Sequence, residues 1–232
     1  MKSQTEALRL DVGSSGSVSG LLLRPPAALA CYVFAHGAGA GMAHSFMENV
    51  ACGLAERGIA TLRYQFPYME KGSRRPDAPG LAHATVRAAV AEAGRLCPDL
   101  ALLAGGKSFG GRMTSQAQAI APLPRVQALV FFGFPLHPAG QPSVARASHL
   151  FDAHLPMLFI QGSRDKLAEP ALIKPLIGKL GPNAALHEIE GADHSLHVPT
   201  KSGRRDADVL SEALDDLMRW LASPALNIAR VQ

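Results

Sequence analysis

The chain has 232 residues, enough for one sizeable α/β core and too few for two complete domains. Its 47% hydrophobic and 18% charged residues exclude a disordered chain, and a net charge of +4 spread along the sequence offers no nucleic-acid patch. Three widely spaced cysteines (Cys31, Cys52, Cys97) with no CxxC suit free thiols in a reducing compartment, and with no apolar signal core and no membrane-length run the expectation is a cytoplasmic protein.

Residues 5–12 alternate in polarity, residues 17–23 form a second extended run, and Gly13-Ser14-Ser15-Gly16 between them predicts a hairpin turn. Residues 31–35 read as a buried strand followed at once by the glycine-rich loop His36-Gly37-Ala38-Gly39-Ala40-Gly41, where a backbone can come close to a ligand. Phe46, Met47, Val50 and Leu54 recur at helical spacing before Gly58, a C-terminal cap. A strand is expected at 59–64, then a long loop over 65–80 rich in Pro, Gly and charge, then a helix over 82–96. Further strands are expected at 100–104, 126–132, 156–161 and 185–189, and helices at 112–120, 170–180 and 206–221. Between them, 133–155 holds prolines and histidines with weak periodicity and room for one short helix at 143–151. A hairpin followed by strand–helix repeats, with continuous apolar strands, predicts an α/β fold: a mostly parallel doubly wound sheet carrying an N-terminal antiparallel hairpin, as a single domain over 1–232.

The stretch that concentrates chemistry is Gly106-Lys107-Ser108-Phe109-Gly110, where an apolar strand stops and a helix starts. It fits G-x-S-x-G, the pattern of a strained turn that holds a serine hydroxyl out toward a base and a substrate. A phosphate-binding loop would require glycine at position 101, which is alanine, and Leu102-Leu103-Ala104 leaves too little loop to wrap a phosphate.

In doubly wound sheets active residues gather at the carboxyl ends of strands. The strand ending at Gln161 leads to Asp165, and the strand ending at Ile189 leads to His194. The order Ser108, Asp165, His194 is that of a hydrolase triad. A serine hydroxyl needs a base to take its proton as it attacks, an imidazole does this near neutral pH, and a carboxylate fixes the imidazole tautomer. Backbone N–H groups of Phe109 and Ala38 are the expected oxyanion donors, with Gly39 as neighbour to Ala38. Singly, each residue has a plainer role: Asp165 as a helix cap, His194 as a satisfied polar side chain, the glycine loop as a tight turn. Asp193 and Asp152 are weaker candidates for the acid. Gly39, Tyr68 and Arg75 are candidate substrate contacts, with Arg74 beside them. Lys107 is expected to serve structure beneath the elbow, and Arg63 to tie down the long loop. His137, His149 and His154 lack metal spacing, so no metal and no cofactor are expected.

These pieces together resemble the α/β-hydrolases, and within them the dienelactone-hydrolase-like group of predicted hydrolases akin to the NSL-complex subunit. The resemblance spans nearly the whole chain through His36 to Gly41, Leu62-Arg63-Tyr64-Gln65-Phe66-Pro67-Tyr68, Gly105 to Arg112, Phe159 to Asp165, and Gly191-Ala192-Asp193-His194. It implies a metal-independent serine hydrolase acting on a small ester, thioester or amide. Dienelactone hydrolases proper carry cysteine at the elbow, so Ser108 favours ordinary ester chemistry over dienelactone. Some relatives act as subunits of chromatin-modifying complexes, which makes a hydrolase-fold interaction protein the alternative. Residues 133–155 sit where such hydrolases insert a lid, and their length implies a small flap over an open or shallow pocket. The expected partner is a small-molecule substrate, with neither nucleic acid nor membrane, for a monomer or small homo-oligomer.

Overall fold

Strands covered on both faces need apolar side chains at successive positions, and five segments meet that demand. They are β3 (Ala30–Ala35), β4 (Ile59–Tyr64), β5 (Ala101–Lys107), β6 (Val126–Phe132) and β7 (Met157–Gly162), buried at nearly every residue. In the computed structural model, which describes residues 4–226, they join β1 (Thr5–Asp11), β2 (Ser17–Leu23) and β8 (Ala184–Ile189) in one eight-stranded sheet of order β1-β2-β4-β3-β5-β6-β7-β8. The first two strands pair antiparallel to each other and β2 pairs antiparallel to β4; every other pairing is parallel. The sheet is thus mostly parallel with an N-terminal antiparallel hairpin, as the patterning predicts.

Helices cover both faces, as the parallel strands require. One apolar cluster joins α1 (Ser45–Glu56) and α6 (Asp206–Leu221) to the sheet through Met47, Val50, Leu54, Val209, Leu214 and Leu217. The other holds α3 (Pro79–Leu96), α4 (Phe109–Ile120) and α5 (Pro170–Leu180), with Val86, Val90, Met113, Ile173 and Leu176 buried.

Two expectations need correction. The elbow strand runs to Lys107 rather than stopping at Ala104, because Gly105 and Gly106 still pair with β6 and β3. The 65–80 segment is not wholly loop: Pro67–Glu70 forms a short helix, α2, with proline in the first turn, and α3 already starts at Pro79. Proline at the first helical position gives up an N–H that has no partner there anyway, so both prolines start helices instead of ending them. The short helix expected within 133–155 is present as the 3-10 helix Ala145–Asp152, which buries Ala147 and Leu150 against the α4 side.

The parallel register aligns strand ends. Ala35 lies beside Gly106, Lys107 beside Phe132, and Gly162 beside Ile189. The loops that leave these ends therefore converge on one edge of the sheet.

Candidate active site

The elbow is the sharpest local feature. Ser108 has φ 50° and ψ −113°, a conformation that ordinary side chains avoid. Two glycines make the turn possible: a Cβ on Gly106 would lie 2.4 Å from the Ala35 carbonyl oxygen, and one on Gly110 would lie 2.5 Å from the same atom. The turn is thus packed directly against the end of β3, where the glycine-rich loop departs.

The structure joins Ser108, His194 and Asp165 by hydrogen bonds. The Ser108 hydroxyl lies 2.8 Å from Nε2 of His194, and Nδ1 of His194 lies 2.7 Å from Oδ2 of Asp165. The carboxylate only accepts, so Nδ1 carries the ring proton and Nε2 is left free to accept from the serine. Asp165 is buried, and its oxygens are otherwise satisfied by the Leu167 amide at 2.8 Å and the Gln161 side-chain amide. Gln161 also accepts from the Phe134 amide at 2.9 Å, so it ties the β6 and β7 ends together beneath the acid. Asp193 does not approach the imidazole as an acid; it accepts from the Ser195 and His197 amides at 2.7 and 3.0 Å and shapes the turn that carries His194.

The Phe109 amide starts α4, where the first N–H groups have no partner within the helix. Among the described residues the Ala38 amide makes no hydrogen bond either, and Ala38 lines both clefts that meet at Ser108. The helix N-terminus adds a positive dipole end at the same point.

Two neighbours hold the loops in place. His36 is fully buried, with Nδ1 donating to the Gly37 carbonyl at 2.8 Å and Nε2 accepting from the Phe66 amide at 3.1 Å. Burial pulls its pKa down to about 4, so the ring is neutral and clamps the glycine-rich loop to the start of α2. Lys107 donates to the His194 carbonyl and lies 5.4 Å from the centre of the Phe46 ring. Desolvation lowers its pKa to about 8, with Asp165 and Asp193 pulling the other way.

Ser108 sits where two clefts meet. One, of about 460 Å³, is walled by Phe46, Met47 and Leu210 together with Ala38 and His194. The other, of about 510 Å³, is walled by Phe109, Met113, Arg112, His137 and Arg146. Gly39 takes φ 78° in its loop with open space around it, Arg75 is exposed, and neither lines these clefts. Tyr68 is buried, packed 5.9 Å from the His36 ring and 6.3 Å from the Phe109 ring. Arg63 binds the Met42 carbonyl at 3.2 Å, a tie to the loop before α1 rather than to the 65–80 segment.

His137, His149 and His154 do not gather. His137 bonds to Glu169 at 2.6 Å and His149 to Ser115 at 2.8 Å. The arrangement with metal-ligand spacing among the described residues is His187, Glu212 and Asp216, far along β8 and α6, where Arg204 and Arg219 already pair with the two carboxylates.

Reading along the chain misses Gln161, Lys107's partner, Arg112 and Arg146 at this site. Gln161 alone carried a signal, a polar residue closing an apolar strand; the others become visible only when distant segments meet.

Residues 28–222 match the family described as an alpha/beta hydrolase domain. Similar solved structures include a dienelactone hydrolase from Anabaena variabilis, at 23% identity and TM-score 0.76 over 95% of this chain and 98% of that one. An α/β serine hydrolase without a lid from Xanthomonas campestris matches at 22% identity and TM-score 0.73, over 95% and 96%. The esterase domain of a Rhodothermus marinus protein matches at 16% identity and TM-score 0.68, over 94% and 98%. At these identities the structural likeness speaks for the fold, and the family match over most of the chain for descent: the chain belongs to the α/β-hydrolase family.

Proposed function

We propose that the protein is a serine hydrolase that cleaves a small ester, thioester or amide through an acyl-enzyme. The observation that carries this reading is the unbroken hydrogen-bonded line from Ser108 through His194 to the buried Asp165. Ser108 Oγ attacks the carbonyl carbon as Nε2 of His194 takes its proton, and the carbonyl oxygen gains the negative charge. The amides of Ala38 and Phe109 stabilise that oxyanion. The imidazolium, held by Asp165, gives the proton to the departing alcohol, thiol or amine, which leaves an ester on Ser108. A water then repeats the sequence with His194 as base, releasing the acid and restoring the serine.

No step in this scheme runs through a metal or cofactor, so activity should survive EDTA. The similar solved structures of a serine hydrolase without a lid and of an esterase domain support the same chemistry. The wider reading is a cytoplasmic single-domain protein, monomeric or a small homo-oligomer, with a small molecule as its partner.

A fluorophosphonate probe tests this. Wild-type protein should be labelled and Ser108→Ala should not. A folded wild type that resists labelling and hydrolyses no ester across an acyl-chain panel would overturn the reading in favour of an interaction protein on this fold.

A further inference from the structure

Most buried or half-buried arginines of this chain have acceptors. Arg57 bonds to Asp215 and Gly53, Arg63 to the Met42 carbonyl, and Arg87 to the carbonyls of Ala117 and Ala121. Arg112 and Arg146 are different. Both are half-buried, and among the described residues neither guanidinium has a carboxylate or carbonyl partner. Arg112 Nε is shut off from solvent with no acceptor at all. The guanidinium instead lies 5.9 Å from the centre of the Phe109 ring, which holds it one helical turn from Ser108.

The two cations also feel each other. Desolvation lowers the pKa of Arg112, and the charge of Arg146 lowers it further. Burial and the Arg112 charge together bring His149, on the same 3-10 helix as Arg146, down to about 4. Like charges brought together in a partly dry place are unfavourable unless something of opposite sign completes the set. Among the described residues no carboxylate forms an ion pair with either arginine; Asp152, at the end of the same 3-10 helix, acts on His149 but pairs with neither. Asp77 lines the same cleft, but its carboxylate accepts from the Tyr68 amide at 3.1 Å and forms no ion pair with either arginine. Glu169 is taken by His137 at 2.6 Å.

Both arginines wall the cleft of about 510 Å³ that opens beside Ser108, Phe109 and Ala38. We infer that Arg112 and Arg146 form an anion subsite, so that the substrate of Ser108 carries a carboxylate or phosphate on the arm lying in this cleft. Guanidinium forks match both groups with paired charge-assisted hydrogen bonds. The other cleft, walled by Phe46, Met47 and Leu210, takes an apolar arm. The substrate class is then an ester, thioester or amide with one apolar and one acidic end. This assignment rests on the reading of Ser108 as nucleophile.

The experiment compares matched esters in a pH-stat at low salt. Ethyl hydrogen adipate against diethyl adipate puts the anion on the acyl arm; 2-acetoxyethyl phosphate against 2-methoxyethyl acetate puts it on the leaving arm. In at least one pair wild type should prefer the charged member by about tenfold or more in kcat/KM, the scale of one charge-assisted contact. That ratio should fall toward one in Arg112→Gln and in Arg146→Gln, and shrink with added salt in wild type. Separately, adipate or phosphate should raise the melting temperature of Ser108→Ala protein and fail to do so once Arg146→Gln is added. A wild type that prefers the neutral member of both pairs, or variants that keep the preference, would overturn the subsite while fluorophosphonate labelling leaves the hydrolase standing. Failed labelling with an Arg146-dependent anion shift would overturn the hydrolase and keep the subsite.

Discussion

Gly133→Ala tests whether the β6 end sets the position of His194. Gly133 has φ 63°, and a Cβ there would lie 2.6 Å from Lys107 Nζ, 2.8 Å from the His194 carbonyl oxygen and 3.3 Å from His194 Nδ1. Left-handed backbone costs a residue with a Cβ about 1–2 kcal/mol, and forcing an extra methyl into a filled site about 1–3 kcal/mol. The smaller conformational freedom of alanine in the unfolded chain returns about 0.4–1 kcal/mol. The net loss is about 1–4.6 kcal/mol, and its midpoint near 3 kcal/mol corresponds to about 6–12 °C in melting temperature for a chain of this length. The Lys107 ammonium is the end of a flexible chain and can swing away, but the His194 backbone cannot. The ring that bonds Ser108 at 2.8 Å and Asp165 at 2.7 Å must therefore shift. A displacement near 1 Å costs about a hundredfold in rate. Second-order labelling by a fluorophosphonate, read beside a thermal melt, separates the two effects. Adding Lys107→Ala removes the first clash and leaves the second, so labelling should stay slow in the double variant. Wild-type labelling in Gly133→Ala, or full rescue by Lys107→Ala, would refute the argument that the His194 backbone is the constrained group.

Two further outcomes are expected. Asp165→Asn should keep the fold, with its single side-chain oxygen still accepting from the Leu167 amide while the Gln161 amide loses its acceptor, and should lose about 10⁴-fold in kcat because the imidazole no longer has a carboxylate to fix its tautomer. A loss under tenfold, measured by steady-state ester hydrolysis, would remove Asp165 from the relay. His36 folds with its pKa lowered from 6.5 to about 4, so the unfolded chain binds the extra proton between those values and stability falls as pH drops from 6.5 toward 4. The shift corresponds to roughly 3 kcal/mol. Urea unfolding at pH 7 and pH 4.5 should show a pH-dependent loss that is smaller in His36→Gln; an equal loss in both proteins would assign it elsewhere.

What could be read along the chain was what is encoded locally. Continuous apolar runs gave the buried strands, the glycines around Ser108 gave the elbow, and the polar residues just past Gln161 and Ile189 gave Asp165 and His194, because parallel sheets bring strand ends to one edge. Segment ends were harder. Gly105 and Gly106 read as turn residues, yet they continue β5, since a Cβ on Gly105 would fall 1.8 Å from the Val130 carbonyl oxygen. Pro67 and Pro79 read as loop and are helix starts. Arg146 could not be read at all: its meaning depends on Arg112, which lies 34 residues earlier on another element.

The antiparallel hairpin at the start of the chain lies outside the matched family region, which begins at residue 28. It is nevertheless wired to the elbow. Arg9 of β1 pairs with Glu70 of α2, Glu70 also accepts from Ser19 of β2 at 3.1 and 2.9 Å, and two residues before it Tyr68 packs on His36 and Phe109. A fragment cut at the border of family similarity would keep every candidate catalytic atom and lose the buttress behind the glycine-rich loop. The smallest unit that holds its shape should therefore be larger than the smallest unit that is recognisable, and expression of shortened forms should be planned around Glu70's partners rather than around the limits of the match.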